Sequence, residues 1–168
     1  MSSFAKDKIL FIVNPISGVG KQKKIEYAVE KYLDKEKFNY NIAYTSYPHH
    51  ATAIAIASVI RDYDIVVAVG GDGSINDCVK GLFSTGATLG IIPTGSGNGL
   101  ARCLNIPLSI KEAIFAINNK KIVDIDTISL TNVFPETTEE ARQRDDNFVT
   151  FTISGTNTTT NKDVFYQI

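Results

Sequence analysis

Unbroken apolar runs, each followed by a helical pattern, are the feature of this sequence that most restricts its fold. Residues 9 to 13 and residues 65 to 69 are apolar at every position, and residues 88 to 92 contain only one polar side chain. A strand with one face in water alternates apolar and polar residues, whereas an unbroken apolar run is typical of a strand covered on both faces in a parallel sheet. Helices must therefore cover both faces of the predicted sheet.

The helices are predicted from apolar residues that recur at helical spacing after each strand. Residues 40 to 44 form a further predicted strand, and two helix starts are predicted from the capping pairs Ser74 with Asp77 and Ser109 with Glu112. Strands that alternate with helices imply right-handed crossovers. The fold class is thus α/β, with a doubly wound, mostly parallel sheet.

The pattern changes after Lys121. Residues 122 to 130 are predicted to form one long strand that leaves the first sheet, residues 131 to 147 a mobile loop, and residues 148 to 153 and 164 to 166 two more strands. We therefore divide the chain into an α/β domain at 1 to 121 and the start of an incomplete β-rich lobe at 122 to 168. The open strand edges of that segment favour self-association into a homo-oligomer.

Composition and charge exclude several classes of partner. The formal net charge is −1 and the basic residues are scattered, so no nucleic-acid surface is expected. No apolar run approaches the ~20 residues of a membrane span. Cys78 and Cys103 are predicted to be buried free thiols in a reducing compartment, and His49 with His50 a solvated helix start. A cytoplasmic protein is expected, with any membrane contact peripheral.

Three glycine-bearing loops follow three of the predicted strands, where doubly wound sheets bind ligands. Glycine lets the backbone approach phosphate oxygens, and a helix start offers unpaired N–H groups. The first loop, from Asn14 to Lys21, fails the Walker pattern and is by itself equally compatible with a structural turn. In the second, residues 70 to 73, Asp72 indicates either phosphate handling through Mg²⁺ or a simple helix cap. The third, residues 93 to 98, alternates glycines with Thr94, Ser96 and Asn98.

Together these loops resemble the diacylglycerol kinase catalytic family, which includes bacterial lipid kinases, sphingosine kinases and ceramide kinases. The family pattern is Asn-Pro-x-Ser-Gly-x-Gly, then Gly-Gly-Asp-Gly-Thr-x-Asn-Glu, then Pro-x-Gly-[ST]-Gly-Asn, and the resemblance covers roughly residues 8 to 130. It implies transfer of phosphate from ATP to a lipid hydroxyl, diacylglycerol or a sphingoid base. It also implies the three-layer fold shared with NAD kinases and phosphofructokinases.

The resemblance also implies the residues of the site. Asp72 would be both the catalytic residue and the Mg²⁺ ligand, with Gly71 and Gly73 close to phosphate. The implied nucleotide contacts are Asn14, Pro15, Ile16, Ser17, Gly18, Thr45, Gly70, Gly71, Asp72, Gly73, Ser74, Ile75, Asn76 and Thr94.

The sequence departs from the family pattern at three points, and we expect the site to tolerate the first two. Ser74 replaces the usual Thr, Asp77 replaces the usual Glu, and no residue after Asn132 matches the family's catalytic base. A nucleotide-binding module without catalysis is one alternative. An NAD kinase is another, although residues 93 to 98 differ from the Asn-x-Gly-x-Leu-Gly segment typical of that family.

Overall fold

Helices and strands alternate along the chain in this computed structural model, which describes residues 5–15, 21–120, 122–130, 148–152 and 165–167. The elements, in order, are β1 (Asp7–Val13), α1 (Lys21–Tyr32), β2 (Phe38–Tyr44), α2 (His50–Ile60), β3 (Ile65–Gly70), α3 (Asp72–Leu82), β4 (Thr88–Pro93), α4 (Gly99–Cys103), α5 (Ile110–Asn119), β5 (Ile122–Asp124), β6 (Asp126–Leu130), β7 (Phe148–Thr152) and β8 (Phe165–Gln167).

The three strands predicted from apolar runs and the strand predicted at residues 40 to 44 form one parallel sheet. Its order is β2-β1-β3-β4, with Ile9 aligned with Ile65 and Val66 with Leu89. All six residues of β3 are buried, as expected for a central strand with both faces covered. The α/β fold class with a mostly parallel sheet is therefore confirmed.

The two faces of the sheet carry separate apolar cores. Ile9, Phe11 and Val67 pack under α1 and α5, while residues that alternate with them, such as Leu10 and Val66, pack under α2, α3 and α4. This alternation follows from the two-residue period of a strand. The result is the expected three-layer arrangement, with the carboxyl ends of the parallel strands at one edge.

The chain after residue 121 differs from the prediction. The long strand expected over residues 122 to 130 breaks at Ile125, whose side chain packs against the core beneath α2 and α3. β5 thus does not leave the first sheet but extends it through β8, which pairs antiparallel with β4 and parallel with β5. Only β6 leaves, to pair antiparallel with β7. The loop predicted at 131 to 147 lies outside the described residues, and the division at residue 121 stays a prediction.

The predicted cap at Ser74 is wrong, because α3 begins two residues earlier. Gly71 holds the N-cap position in an extended conformation, so Ser74 lies inside the first turn. Ser109 does occupy the N-cap of α5, but its side chain makes no capping hydrogen bond.

One of the two cysteines also departs from the prediction. Cys78 is buried, and burial raises the pKa of its thiol to about 12. Cys103 is instead exposed, because α4 has only five residues and buries Ala101 rather than its last residue.

Candidate functional site

The ends of four adjacent strands meet at one edge of the sheet, and the residues that follow them are hydrogen-bonded to one another. Three backbone bonds join the ends: Thr45 N–H donates to the carbonyl of Val13 at 3.0 Å, Asn14 N–H to that of Val69 at 3.2 Å, and Thr94 N–H to that of Gly70 at 2.9 Å. Three predicted contact residues are thereby brought to one edge, each half-buried.

The second and third glycine loops touch through their backbones. A Cβ placed on Gly95 would lie 2.5 Å from the Cα of Gly71, a distance that no real side chain adopts. Asn98 closes the third loop: its Oδ1 accepts the Gly95 N–H at 3.0 Å and its Nδ2 donates to the Gly95 carbonyl at 2.8 Å. The near neighbour of Gly71 is thus the backbone of Gly95, and the two loops form one unit.

Asp72 caps a helix, but not its own. It is the first residue of α3, and its carboxylate accepts the N–H of Gly99 at 3.0 Å and of Leu100 at 3.2 Å. These two N–H groups open α4 and have no acceptor within that helix. The alternative in which Asp72 caps its own helix is therefore corrected: the residue ties the start of α4 to the second loop.

The hydroxyl of Ser74 lies between the first and second loops. Asn14 Nδ2 donates to Ser74 Oγ at 3.4 Å. A Cβ on Gly70 would lie only 2.3 Å from the same Oγ. Any side chain at position 70 would therefore clash with Ser74, and Ser74 is hydrogen-bonded to Asn14. The nucleotide contacts of these two residues stay a prediction.

At Gly73, the first turn of α3 has no neighbour among the described residues. The first hydrogen bond of the helix runs from the Ile75 N–H to the carbonyl of the N-cap residue Gly71 at 3.1 Å. The N–H groups before Ile75 therefore have no acceptor within the helix. A Cβ placed on Gly73 would meet no described atom within 4 Å. An anion can approach this turn without displacing a side chain of the described chain.

The remaining predicted residues divide into three groups. Ile75 is 1% exposed and packs in the core, so its side chain offers no contact at the site, contrary to the expectation. Asn76 is half-buried on α3, and Pro15 is half-buried beside Asn14. Ile16, Ser17 and Gly18 lie outside the described residues.

Two residues of the third loop and one of α4 were not predicted as site residues. Gly95 and Asn98 shape the loop as described above, and Arg102 Nε donates to the carbonyl of Gly97 at 3.0 Å. The alternate glycines of residues 95 to 99 were the available signal, since one structural turn does not require three of them.

Asp77, which replaces the usual Glu of the resemblance, contacts the first histidine of the pair, His49. Its Oδ1 lies 3.0 Å from Nδ1 of His49, the left-handed N-cap of α2, whose side chain is 63% exposed. The expectation of a solvated helix start holds for His49, with Asp77 as its one carboxylate partner among the described residues.

Comparison with known proteins identifies the family. The sequence model of the diacylglycerol kinase catalytic domain matches residues 8–130. The chain belongs to this family. A diacylglycerol kinase from Bacillus subtilis (strain 168) is 37% identical over 98 residues, which are 57% of this chain and 32% of that protein. Sphingosine kinase B from Dictyostelium discoideum is 34% identical over 116 residues, which are 64% of this chain and 15% of that protein.

A solved structure gives the same family. The crystal structure of a diacylglycerol kinase from Bacillus anthracis str. Sterne superposes with a TM-score of 0.62 at 28% identity, over 73% of this chain and 42% of that one. The fold is therefore that of the diacylglycerol kinase family, which is NAD kinase-like. The chain spans about a third of the length of the bacterial relative and less of the Dictyostelium one.

Two kinds of feature are absent from the part of the chain that the structure describes. Within the described residues, no three His, Cys, Asp or Glu side chains come together as a metal site. Among the helices of the described ranges, none is long and apolar enough to cross a bilayer.

Proposed function

We propose that this chain is the nucleotide lobe of a lipid kinase and binds the phosphates of ATP at the carboxyl edge of the sheet. The proposed reaction moves the γ-phosphate of ATP to a hydroxyl of a lipid such as diacylglycerol or a sphingoid base. Membership of the diacylglycerol kinase catalytic domain family supports this, as do relatives described as diacylglycerol and sphingosine kinases.

The observation that carries the proposal is the open first turn of α3. Unpaired N–H groups and the positive end of the helix dipole stabilise an anion at such a turn, and the position over Gly73 is free of described atoms within 4 Å. Asn14 and Ser74 lie beside this turn, and their side chains are joined by the hydrogen bond from Asn14 Nδ2 to Ser74 Oγ at 3.4 Å. A chain of phosphates along this edge would meet donors from the first and second loops.

Asp72 fits a Mg²⁺ ion as a single protein ligand. Its two carboxylate oxygens each accept one backbone N–H, and a carboxylate has about four acceptor positions in all, so both oxygens keep capacity toward solvent. Mg²⁺ is usually held by one or two carboxylates together with substrate phosphates and water. When bound, the ion would neutralise charge on the transferring phosphate. The capping bonds would meanwhile hold the Asp72 carboxylate in one orientation.

The test is to place a negative charge where the phosphates are proposed to lie. In Gly73→Glu the new carboxylate would stand in the first turn of α3, where it stabilises the helix by about 0.3–1 kcal/mol. It would repel phosphate and weaken ATP binding by about tenfold to a hundredfold, measured by calorimetry with Mg²⁺. Chelation of Mg²⁺ should weaken ATP binding to the wild-type chain as well.

The matched control adds the same charge at the other end of the sheet. Asn39→Asp changes the exposed Asn39 near the start of β2, and its ATP affinity should equal that of the wild type. Equal affinity in all three proteins, with Gly73→Glu folded by its thermal melt, would refute phosphate binding at α3.

A further inference from the structure

Two lysines and three aromatic rings form a continuous surface across α1 and α5. Lys31 Nζ lies 5.2 Å from the ring centre of Tyr27 and 5.5 Å from that of Tyr32. Lys111 Nζ lies 5.5 Å from the ring centre of Tyr32 and 5.6 Å from that of Phe115. Within about 6 Å an ammonium is attracted to the ring face. Each lysine therefore stands between two rings, and we call these five residues the lysine–aromatic surface.

The surface is exposed although its rings are large. Tyr27 is 60% exposed and Phe115 43% exposed, while Tyr32 is half-buried against the core and meets Phe115 edge-on at 5.7 Å. Lys111 and Phe115 are four residues apart on α5, and Tyr27 and Lys31 four apart on α1, which places each pair on one side of its helix. The Tyr32 ring thus joins two outward-facing pairs.

The acidic residues of α1 are bonded on another side of the helix. Glu26 accepts the hydroxyl of Tyr44 at 2.5 Å, and Glu30 accepts that of Tyr40 at 2.6 Å and pairs with Lys35. Both tyrosines belong to β2. These bonds leave the lysine–aromatic surface with its positive charges, and exposed Lys24, three residues before Tyr27, adds another. Exposed Glu112 in the first turn of α5 is the acidic neighbour of Lys111.

We propose that the lysine–aromatic surface binds the surface of an anionic lipid bilayer. Tyrosine and phenylalanine rings place apolar area at the level of the lipid headgroups, while lysine side chains extend their charge to the phosphates. Each lysine near an anionic bilayer strengthens partitioning about fivefold. The choice of a bilayer rather than an acidic protein rests on the proposed function, because the acceptor of a lipid kinase resides in a membrane.

The surface and the proposed nucleotide site lie on different parts of the molecule. α1 and α5 cover one face of the sheet, whereas the phosphate contacts lie at the strand ends. Contact of this flank with a bilayer therefore leaves the first turn of α3 uncovered. The two can be occupied together.

The test is cosedimentation with vesicles of phosphatidylcholine, with and without phosphatidylglycerol. The wild-type chain should bind the anionic vesicles, and added salt should weaken the binding. Removal of both lysines in K31Q/K111Q should weaken it about 25-fold, the product of two fivefold terms. Removal of both exposed rings in Y27A/F115A should weaken binding to the same vesicles at high salt, where the charge term is screened.

The matched control also removes two lysines, one of which lies over a ring. Lys8 Nζ lies 5.8 Å from the ring centre of Tyr63, and Lys6 Nζ donates to the carbonyl of Lys35. Neither lysine belongs to the lysine–aromatic surface, so K6Q/K8Q should bind vesicles like the wild type. The proposal would be overturned if the wild-type chain did not bind anionic vesicles, or if K31Q/K111Q bound them as strongly as the wild type. Calorimetric titration of the same proteins with ATP separates the two proposals. Vesicle binding without ATP binding would refute only the proposed function, and ATP binding without vesicle binding would refute only the proposed role of the lysine–aromatic surface.

Discussion

The carboxylate of Asp72 connects two helices whose sequences are far apart. Its partners Gly99 and Leu100 come 27 and 28 residues later in the chain. The contact exists because β3 and β4 are neighbours in the sheet, which places the residues after both strands side by side. A sequence pattern shows the carboxylate among glycines but not the adjacency of the two loops, so the capping of α4 could not be predicted.

Asp72→Asn should lower both stability and the effect of Mg²⁺ on ATP binding. An amide keeps one acceptor oxygen and turns a donor toward the second N–H, so one capping bond is lost at a cost of about 1 kcal/mol. The melting temperature should fall by about 2–4 °C. ATP affinity should depend less on Mg²⁺ in calorimetry. Unchanged Mg²⁺ dependence together with the lower melting temperature would leave Asp72 as a cap alone.

The two cysteines should differ sharply in reactivity. The thiolate is the nucleophile in alkylation, and burial both shields Cys78 and raises its pKa to about 12. At pH 8 the folded chain should therefore take up one equivalent of iodoacetamide rapidly, at the exposed Cys103, and a second only after denaturation. Cys103→Ser should abolish the rapid uptake and leave only the equivalent that reacts after denaturation. Rapid labelling of the folded Cys103→Ser chain would contradict the buried position of Cys78.

Among the elements, the pair of helices α2 and α3 depends on one glycine. A Cβ on Gly81 would lie 2.6 Å from the carbonyl oxygen of Thr52 and 2.7 Å from Cβ of Ala55. Gly81→Ala should thus destabilise the fold by about 1–3 kcal/mol through overpacking, despite the better helix propensity of alanine. Thermal or urea unfolding measures this.

The control for that prediction lies in the same helix. Gly73→Ala adds the same methyl group where no described atom is within 4 Å, so it should leave stability unchanged or slightly raise it. Equal destabilisation by both substitutions would mean that a backbone effect common to the two positions, not the contact with α2, determines the result.

Element types were more predictable than element ends. Strands β1, β3 and β4 were identified because both of their faces are buried, which leaves an almost unbroken apolar run. β2 lies at the edge of the sheet and is only partly buried, so its sequence gives a weaker signal. The start of α3 was misplaced because Ser74 and Asp77 carry the spacing of a capping pair, whereas the chain uses Gly71 as N-cap and bonds Ser74 to Asn14. The break at Ile125 was missed because apolar and polar residues alternate on both sides of it. The phase of that alternation nevertheless changes there, from Val123 and Ile125 to Ile128 and Leu130, and the Ile125 side chain packs against the core.

At the scale of the whole molecule, we expect nucleotide binding without efficient transfer. The residues assigned to the site all act on the ATP side, and transfer also requires the acceptor hydroxyl to be held in line and relieved of its proton. A base contributes typically 10²–10⁴-fold. Activity should therefore stay near background when labelled ATP, Mg²⁺ and a panel of diacylglycerol, monoacylglycerol and sphingoid lipids are supplied in mixed micelles. Turnover of one lipid at an ordinary kinase rate of about 1–100 s⁻¹ would contradict this.

The central position of β1 has a consequence for synthesis of the chain. β1 pairs with β2 on one side and with β3 on the other, and Ile9 is aligned with Ile65, 56 residues later (65 minus 9). At translation rates of about 5–20 residues per second, roughly 3–11 s pass between the two. During that interval the inner edge of β1 has no native partner, and a free strand edge pairs readily with other chains. We therefore expect a nascent chain of this protein to be most prone to wrong strand pairing during this interval.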